Sequence, residues 1–237
     1  MIDPAAEPSA AGVKLGWWRE EIHRLIRSAP VHPITRYLVS LPRAMLADFS
    51  PLIASLEAAA RQLAGAPLER GAELEPHGAA LYANPLLVAR SLAGEPAGIG
   101  MAWRRSASAL GAAQYLAHAI ADYRREALRG RVIFPVDELL DAGIDDADLS
   151  AATPPMRLKS YLEEQRRRAA GYFETAAAEL PPAERDASRH ILVLAALGAK
   201  HARAPHDHGG GFRPADLYLA WSTARRAARP AAVQRRP

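Results

Sequence analysis

Two acidic side chains, Asp122 and Glu126, are the residues of this sequence best placed to do chemistry. They stand four positions apart, so on an α-helix both carboxylates leave the same face within reach of one cation. Proteins usually hold magnesium through carboxylate oxygens and share it with the phosphate oxygens of a substrate. The pair therefore predicts a magnesium site that serves a phosphorylated ligand.

The arginines around this pair allow a second interpretation. Carboxylates and guanidiniums three or four positions apart form ion pairs on a helix surface, and Arg125 and Arg129 have that spacing. Gln114 and His118 precede Asp122 on the same predicted face. His118 could donate a hydrogen bond to a diphosphate, or it could be an ordinary histidine of a helical bundle. From spacing alone, both a ligand site and an ion-paired helix face remain open.

A long predicted helix, Ala102 to Leu128, must carry these residues, and the remaining sequence is helical in pattern as well. Alanine, leucine, arginine and glutamate dominate, and apolar residues recur at three and four positions, which is typical of α-helices. Glycine and proline break the pattern between elements. We predict further helices around Trp18–Ile26 and over 34–41, 51–63, 74–92 with a kink at Pro85, 137–140, 161–180, 182–201 and 214–228.

Composition limits the function classes. Of the 237 residues, 49% are hydrophobic and 24% charged, which suits one globular all-α domain, predicted over 13–229 with disordered ends at 1–12 and 230–237. The absence of cysteine excludes disulfides and thiolate sites, and with no signal peptide or apolar span in view we expect a cytoplasmic protein. The net charge of +4 is spread along the chain without an aromatic-rich motif, so nucleic-acid binding is not expected.

The order of the motifs carries more information than any one of them. Gln114 and the acidic pair precede Gly130-Arg131 and then Pro135-Val-Asp-Glu-Leu139. This set resembles the second aspartate-rich segment of squalene and phytoene synthases, approximately Q-x-x-N-I-x-R-D-x-x-x-D followed by G-R-x-x-x-P-x-D-E-L. The segments Lys14–Glu21 and His32–Arg36 resemble K-L-x-W-W-R-E-E and H-P-x-x-R of the same family. Further similar positions downstream are Gln165, Arg168, Ala169, Tyr172, Trp221 and Arg225.

The resemblance implies a single-domain helical bundle of the isoprenoid synthase type and a role in isoprenoid biosynthesis. It implies a prenyl diphosphate or other isoprenoid ligand, with Asp122 and Glu126 as ligands of Mg²⁺. Gln114, His118 and Arg131 are then the expected substrate-binding residues. In the family, magnesium takes up the charge of the departing diphosphate during head-to-head prenyl transfer. Such lipid-like substrates would allow peripheral contact with a membrane.

Departures from the family pattern leave the activity open. The first aspartate-rich segment of the family precedes the tryptophan pair, where this sequence has only Asp3 and Glu7. In the second segment, His118 replaces an asparagine and Glu126 an aspartate. We therefore expect prenyl transfer only if a longer native N-terminus or a partner protein supplies the first motif. The alternative is a catalytically inactive member that serves as a binding or assembly factor.

Overall fold

The computed structural model describes residues 8–93, 100–203 and 214–228. These residues form α-helices and short 3₁₀ or π segments and contain no β-strand, so the predicted all-α fold class is confirmed. In chain order the α-helices are α1 (Pro8–Ile26), α2 (Pro33–Ser40), α3 (Pro51–Leu63), α4 (Leu74–Gly78), α5 (Asn84–Ala93), α6 (Met101–Ala127), α7 (Val136–Asp141), α8 (Asp146–Ser150), α9 (Met156–Glu179), α10 (Arg189–Ala202) and α11 (Pro214–Ala227). A π segment, Ala79–Ala83, joins α4 to α5. None of the described helices combines the length and apolarity needed to cross a bilayer.

Helix α6 lies at the centre and packs along α9. Near the start of α6, Trp103 packs in one core cluster with Phe173 of α9. Towards its end, Ile120 packs with Phe134 and Tyr161 in a second cluster. Burying each such large apolar side chain stabilises the fold by roughly 1.5–3 kcal/mol. Because the core holds α6 near both ends, the backbone from which its polar side chains project is fixed in position.

The crossing of α4 and α6 depends on two glycines. A Cβ atom added at Gly78 would lie 2.8 Å from Ala112 Cα, and one added at Gly111 would lie 2.7 Å from the Gly78 carbonyl oxygen. The two backbones are therefore in direct contact. One turn further along α6, the ring of Tyr115 meets His77 of α4 edge to face, with centroids 5.1 Å apart. Together these contacts determine which residues of α6 lie opposite the π segment that follows α4.

The N-terminal boundary differs from the prediction. Residues 8–12, predicted to be disordered with the rest of 1–12, form the first turns of α1, and Ala11 is buried. The prediction is wrong there because small residues hide the amphipathic pattern by which a helix is recognised in a sequence. Residues 1–7 and the predicted tail 230–237 lie outside the described residues.

Other predicted features also differ from the structure, and the helix predicted over 161–180 begins at Met156. The irregularity predicted at Pro85 lies just before it, in the π segment Ala79–Ala83, because proline lacks the N–H that a regular helix would use at that position. The helix predicted to begin at Pro182 instead begins at Arg189, after a 3₁₀ turn at Pro182–Glu184. The periodic pattern correctly identified the elements but not these ends.

The two N-terminal segments that resemble the family meet at one buried carboxylate, Glu21 of α1. Its Oε1 accepts hydrogen bonds from the backbone N–H groups of Val31 at 2.9 Å and His32 at 2.8 Å, and from the Thr35 hydroxyl. Burial raises the pKa of Glu21, but these bonds and the Arg24 guanidinium outweigh it and lower the pKa to about 2. Glu21 thus connects α1 to α2 and has a structural role.

We expect the Glu21→Gln variant to be less stable than the wild type at neutral pH, because an amide replaces a charged acceptor. Since the folded-state pKa is depressed, the stabilisation is complete above the ordinary carboxyl pKa of about 4.3 and disappears as the pH falls through about 2. Urea unfolding at pH 7 and at pH 3 should therefore show a smaller gap between wild type and variant at pH 3. The exposed neighbour Glu20→Gln is the control, and an equal loss in both variants would contradict the assignment.

Candidate functional site

Asp122 and Glu126 lie on one face of α6, as predicted, and a single guanidinium bridges them. Arg125 Nη2 is 2.7 Å from Asp122 Oδ2, and Arg125 Nε is 3.4 Å from Glu126 Oε1. The side chain of Asp122 is 34% exposed and that of Glu126 11% exposed. Glu126 therefore points into the protein, while Asp122 lies at the edge, where a ligand from solvent can reach it.

The break after α6 explains how Arg131 reaches the pair. Gly130 has a φ of 70°, a left-handed conformation that favours glycine, and it ends the helix and reverses the chain. The Arg131 N–H then donates to the Glu126 carbonyl oxygen at 3.0 Å, and Arg131 Nε donates to Glu126 Oε2 at 2.7 Å. The stem of Arg131 packs where Gly65 has no side chain. Gly130 thus turns the backbone towards Glu126, and Gly65 leaves room for the Arg131 side chain that pairs with it.

The ion pairs considered from the sequence are present as well. Arg125 pairs with Asp122, and Arg129 Nη1 lies 3.5 Å from Glu126 Oε1. With Arg131, three guanidiniums face two carboxylates, so the cluster carries an excess of positive charge. Such an excess suits a diphosphate, because guanidinium groups bind phosphate oxygens in a bidentate manner.

The acidic pair can be tested for its fit to magnesium. Magnesium sites commonly use one or two carboxylates, with water and substrate phosphate completing the octahedron, and a cation that touches both carboxylates is already present as Arg125. The pair therefore fits one hydrated ion, provided that Arg125 moves away. Within 8–93, 100–203 and 214–228, no group of three or more histidine or acidic side chains could hold a metal ion. Any magnesium held by Asp122 and Glu126 thus needs ligand oxygens from water or substrate.

His118 lies one turn before Asp122 on α6 and is exposed. Its Nδ1 is 2.7 Å from the hydroxyl oxygen of Tyr82, which comes from the π segment. Burial, together with the negative charge of Asp122, raises the pKa of Tyr82. Sequence reasoning missed this tyrosine, because the π segment that positions it has no periodic signature.

Gln114 is half-buried on α6, one turn before His118. In the family pattern the glutamine stands seven positions before the first aspartate, whereas Gln114 stands eight before Asp122. The residue at seven positions is Tyr115, whose hydroxyl donates to the Ile133 carbonyl oxygen at 2.6 Å. The substrate-binding role of Gln114 stays a prediction.

The acids of the Pro-x-Asp-Glu-Leu turn have other partners. Asp137 accepts the Gly71 N–H at 2.9 Å, and Glu138 accepts hydrogen bonds from Arg168 at 2.6 Å and from Gln165 at 3.1 Å. Both acids therefore bind the turn to neighbouring segments. The matching positions Gln165 and Arg168 of α9, which sequence reasoning could not place, converge on Glu138.

Two open cavities lie beside α3. One, between α1 and α3, has a volume of about 400 Å³ and a largely apolar lining that includes Leu15, Leu56 and Leu63. The other, of about 540 Å³, lies between α3 and α4 and is lined in part by Arg61 and His77. Asp122 and Glu126 line neither of these cavities.

Comparison with known proteins agrees with the motifs. The model of the family described as squalene/phytoene synthase matches residues 1–225. Over 71 residues the chain is 37% identical to the chloroplastic phytoene synthase of Narcissus pseudonarcissus, and over 92 residues it is 36% identical to phytoene synthase 2 of Solanum lycopersicum. The matched stretches make up 30% and 39% of this chain but only 17% and 29% of those relatives.

Solved structures share the fold. The chain superposes on a squalene synthase from Alicyclobacillus acidocaldarius with a TM-score of 0.67 and 16% identity, over 97% of this chain and 78% of the other. It superposes on a dehydrosqualene synthase in complex with ligand with a TM-score of 0.68 and 14% identity, over 90% and 78% of the two chains. These likenesses confirm the predicted type of helical bundle.

Proposed function

Since the chain belongs to the squalene/phytoene synthase family, we propose that it binds a prenyl diphosphate, with the diphosphate beside Asp122 and Glu126 near the C-terminal end of α6. One observation carries the proposal: a single guanidinium, that of Arg125, spans the carboxylates of Asp122 and Glu126. Two carboxylates that share one cation can share a magnesium ion in its place. The surrounding excess of arginine offers the remaining charge that a diphosphate needs.

Each predicted residue then has a distinct role. Asp122, at the solvent edge, and Glu126 would hold one magnesium ion, which supplies neutralising charge to the diphosphate oxygens. Arg131, fixed by Glu126, would bind a further oxygen, and His118 would donate from the preceding turn. Gln114 would act one turn earlier still. Through these groups the protein would take part in isoprenoid biosynthesis, including head-to-head prenyl transfer where a longer native N-terminus or a partner protein supplies the first acidic motif of the family.

A second candidate function is catalytically silent binding or assembly with a protein partner. The observation in its favour is that three guanidiniums already neutralise Glu126 and Asp122, while the described residues offer no larger acidic group for further metal ions. Both candidates retain ligand binding. Magnesium-dependent release of pyrophosphate from farnesyl or geranylgeranyl diphosphate separates them, because only an enzyme releases it.

The proposal also includes a location. The chain lacks cysteine and so forms no disulfide, which agrees with a reducing compartment, and its proposed ligand carries a long apolar chain. We therefore place it in the cytoplasm, with peripheral contact to a membrane from which the ligand is drawn. Flotation of the purified chain with phosphatidylcholine vesicles that contain farnesol tests this contact.

Binding of farnesyl thiodiphosphate, measured by titration calorimetry with and without magnesium, tests the proposed function. The wild type should bind more tightly with magnesium, and Asp122→Ala should weaken that binding at least about tenfold, the order of one lost charge-assisted contact. Asp122→Ala should leave stability nearly unchanged, because the ion pair of Asp122 with Arg125 is about half exposed. Asp186→Ala, which removes an exposed acid paired with Arg189, is the matched control.

Arg125→Gln provides the opposite test. Removing the guanidinium that bridges the carboxylates should strengthen binding of Mn²⁺, used as a spectroscopic substitute for magnesium, by a few-fold. Arg166→Gln, which removes the arginine that pairs with Glu163 on α9, serves as its control. Equal metal affinity in wild type, Arg125→Gln and Asp122→Ala would show that the metal does not use this pair and would reject the proposal.

A further inference from the structure

The contact between Tyr82 and His118 joins two helical segments at the candidate site. The Tyr82 hydroxyl oxygen lies 2.7 Å from His118 Nδ1, and the two ring centroids are 5.2 Å apart with planes tilted by 48°. In the described part of the chain, Tyr82 is the side chain that forms a hydrogen bond with His118. His118 is otherwise exposed, so this single contact determines the orientation of its ring.

The chemistry of the two groups assigns the proton. The raised pKa of Tyr82 keeps its hydroxyl protonated at neutral pH. A phenol hydroxyl is a better donor than acceptor, and an unprotonated imidazole nitrogen is a strong acceptor, so this contact favours the arrangement in which Nδ1 accepts. In a neutral imidazole one nitrogen accepts and the other carries the proton, which here is Nε2. In that arrangement Nε2 of His118 carries the proton and can donate to a ligand.

The π segment makes this contact geometrically accessible. In a regular helix successive residues are rotated by about 100°, so one residue more or less in the turn would direct Tyr82 to a different face. The π turn at Ala79–Ala83 adds that residue immediately before Pro85. The contact of Gly78 with Gly111 holds the π segment close to α6, about two helical turns before His118.

We infer that Tyr82 is a positioning residue, which holds His118 in one orientation and in the Nε2–H form so that Nε2 donates to an oxygen of the bound diphosphate. The inference rests on the proposed function, because it specifies how that site recognises its anion. Tyr82 acts through His118 and need not touch the ligand. A phosphate ligand is indicated because phosphate oxygens are anionic acceptors. The arginines near Glu126 and a donor at Nε2 both suit such oxygens.

Two measurements on the full chain test the inference. Long-range ¹H–¹⁵N spectra of the histidine rings give the tautomer of His118, identified by its loss in His118→Gln. Calorimetric titration with inorganic pyrophosphate and magnesium gives affinities for wild type, Tyr82→Phe, His118→Gln and the double variant. Tyr37→Phe, which alters an exposed tyrosine of α2, is the matched control.

We expect the Nε2–H form in the wild type and a mixture of both tautomers in Tyr82→Phe. Tyr82→Phe should weaken pyrophosphate binding about fivefold, the order of the cost of immobilising one side chain, and should have no further effect once His118 is glutamine. A merely structural tyrosine would weaken binding equally in both backgrounds.

An Nδ1–H form in the wild type, or equal effects of Tyr82→Phe with and without His118, would overturn the inference. If the wild type shows Nε2–H but does not bind pyrophosphate, the proposed function fails instead, and the ligand assigned to Nε2 fails with it. The tautomer is judged by the spectrum alone, so the two failures are distinguishable.

Discussion

Replacing Gly111 with alanine should lower the free energy of unfolding by about 2 kcal/mol. The new Cβ would lie 2.7 Å from the Gly78 carbonyl oxygen and 2.9 Å from Ala79 Cα. Both neighbours are backbone atoms, so the helices must separate, and overpacking of this kind costs about 3 kcal/mol. Alanine regains about 1 kcal/mol through its higher helix propensity. Denaturant unfolding followed by circular dichroism measures the net loss.

The matched control is Gly171→Ala in α9, where an added Cβ meets nothing within 4 Å. The same propensity gain should there leave stability unchanged or raise it by up to about 1 kcal/mol. Because the α4–α6 crossing sets the position of Tyr82, Gly111→Ala should also weaken pyrophosphate binding, and Gly171→Ala should not. If both variants were equally stable, α4 and α6 could not approach as closely as described.

Glu126→Ala is expected to lower the free energy of unfolding by about 2 kcal/mol. The variant leaves Arg125, Arg129 and Arg131 facing each other without the carboxylate that now neutralises them. Breaking a fully buried ion pair costs about 3–5 kcal/mol. The cost here is smaller because Arg125 and Arg129 are half exposed and water screens them. The measurement is denaturant unfolding at low and at high salt, and the loss should be smaller at high salt.

The comparison of Glu126→Ala with Asp122→Ala separates the two roles of the acidic pair. We expect Glu126→Ala to lose both stability and metal-dependent binding, and Asp122→Ala to lose the binding alone. Glu163→Ala, which removes an exposed acid that pairs with Arg166, should change neither. A Glu126→Ala chain as stable as the wild type would mean that the arginine cluster contributes nothing to the fold and that Glu126 serves only the ligand.

The family motifs could be recognised in the sequence, but the role of each residue in them could not. Motif order identified the family, yet the structure gives several matched residues tasks in holding segments together. Glu21 binds the N–H groups that precede α2, and Glu138 gathers Arg168 and Gln165 of α9. Sequence spacing could not distinguish such residues from ligand-binding ones, because both kinds recur in the same order in a family.

The acidic pair shows the same limit within one helix. Helical periodicity placed Asp122 and Glu126 on one face, and it also predicted their pairing with Arg125 and Arg129. It did not indicate that Arg131 returns to Glu126 through a left-handed glycine, since that contact depends on how the chain leaves α6. Asp122 is therefore the more accessible residue of the pair. Their spacing in the sequence did not distinguish the two acids.

The helical elements, most of their ends, the family and the helix that carries the acidic pair could all be predicted from the amino-acid sequence. These depend on local properties, namely the 3.6-residue repeat, the breaking effect of proline and glycine, and motif order. The contacts between distant groups depend on how the helices pack: Tyr82 meets His118, Gly78 meets Gly111, and Glu21 meets the turn before α2. Residues 36 positions apart, such as Tyr82 and His118, are brought together by packing between helices, and no repeat within either helix contains that information.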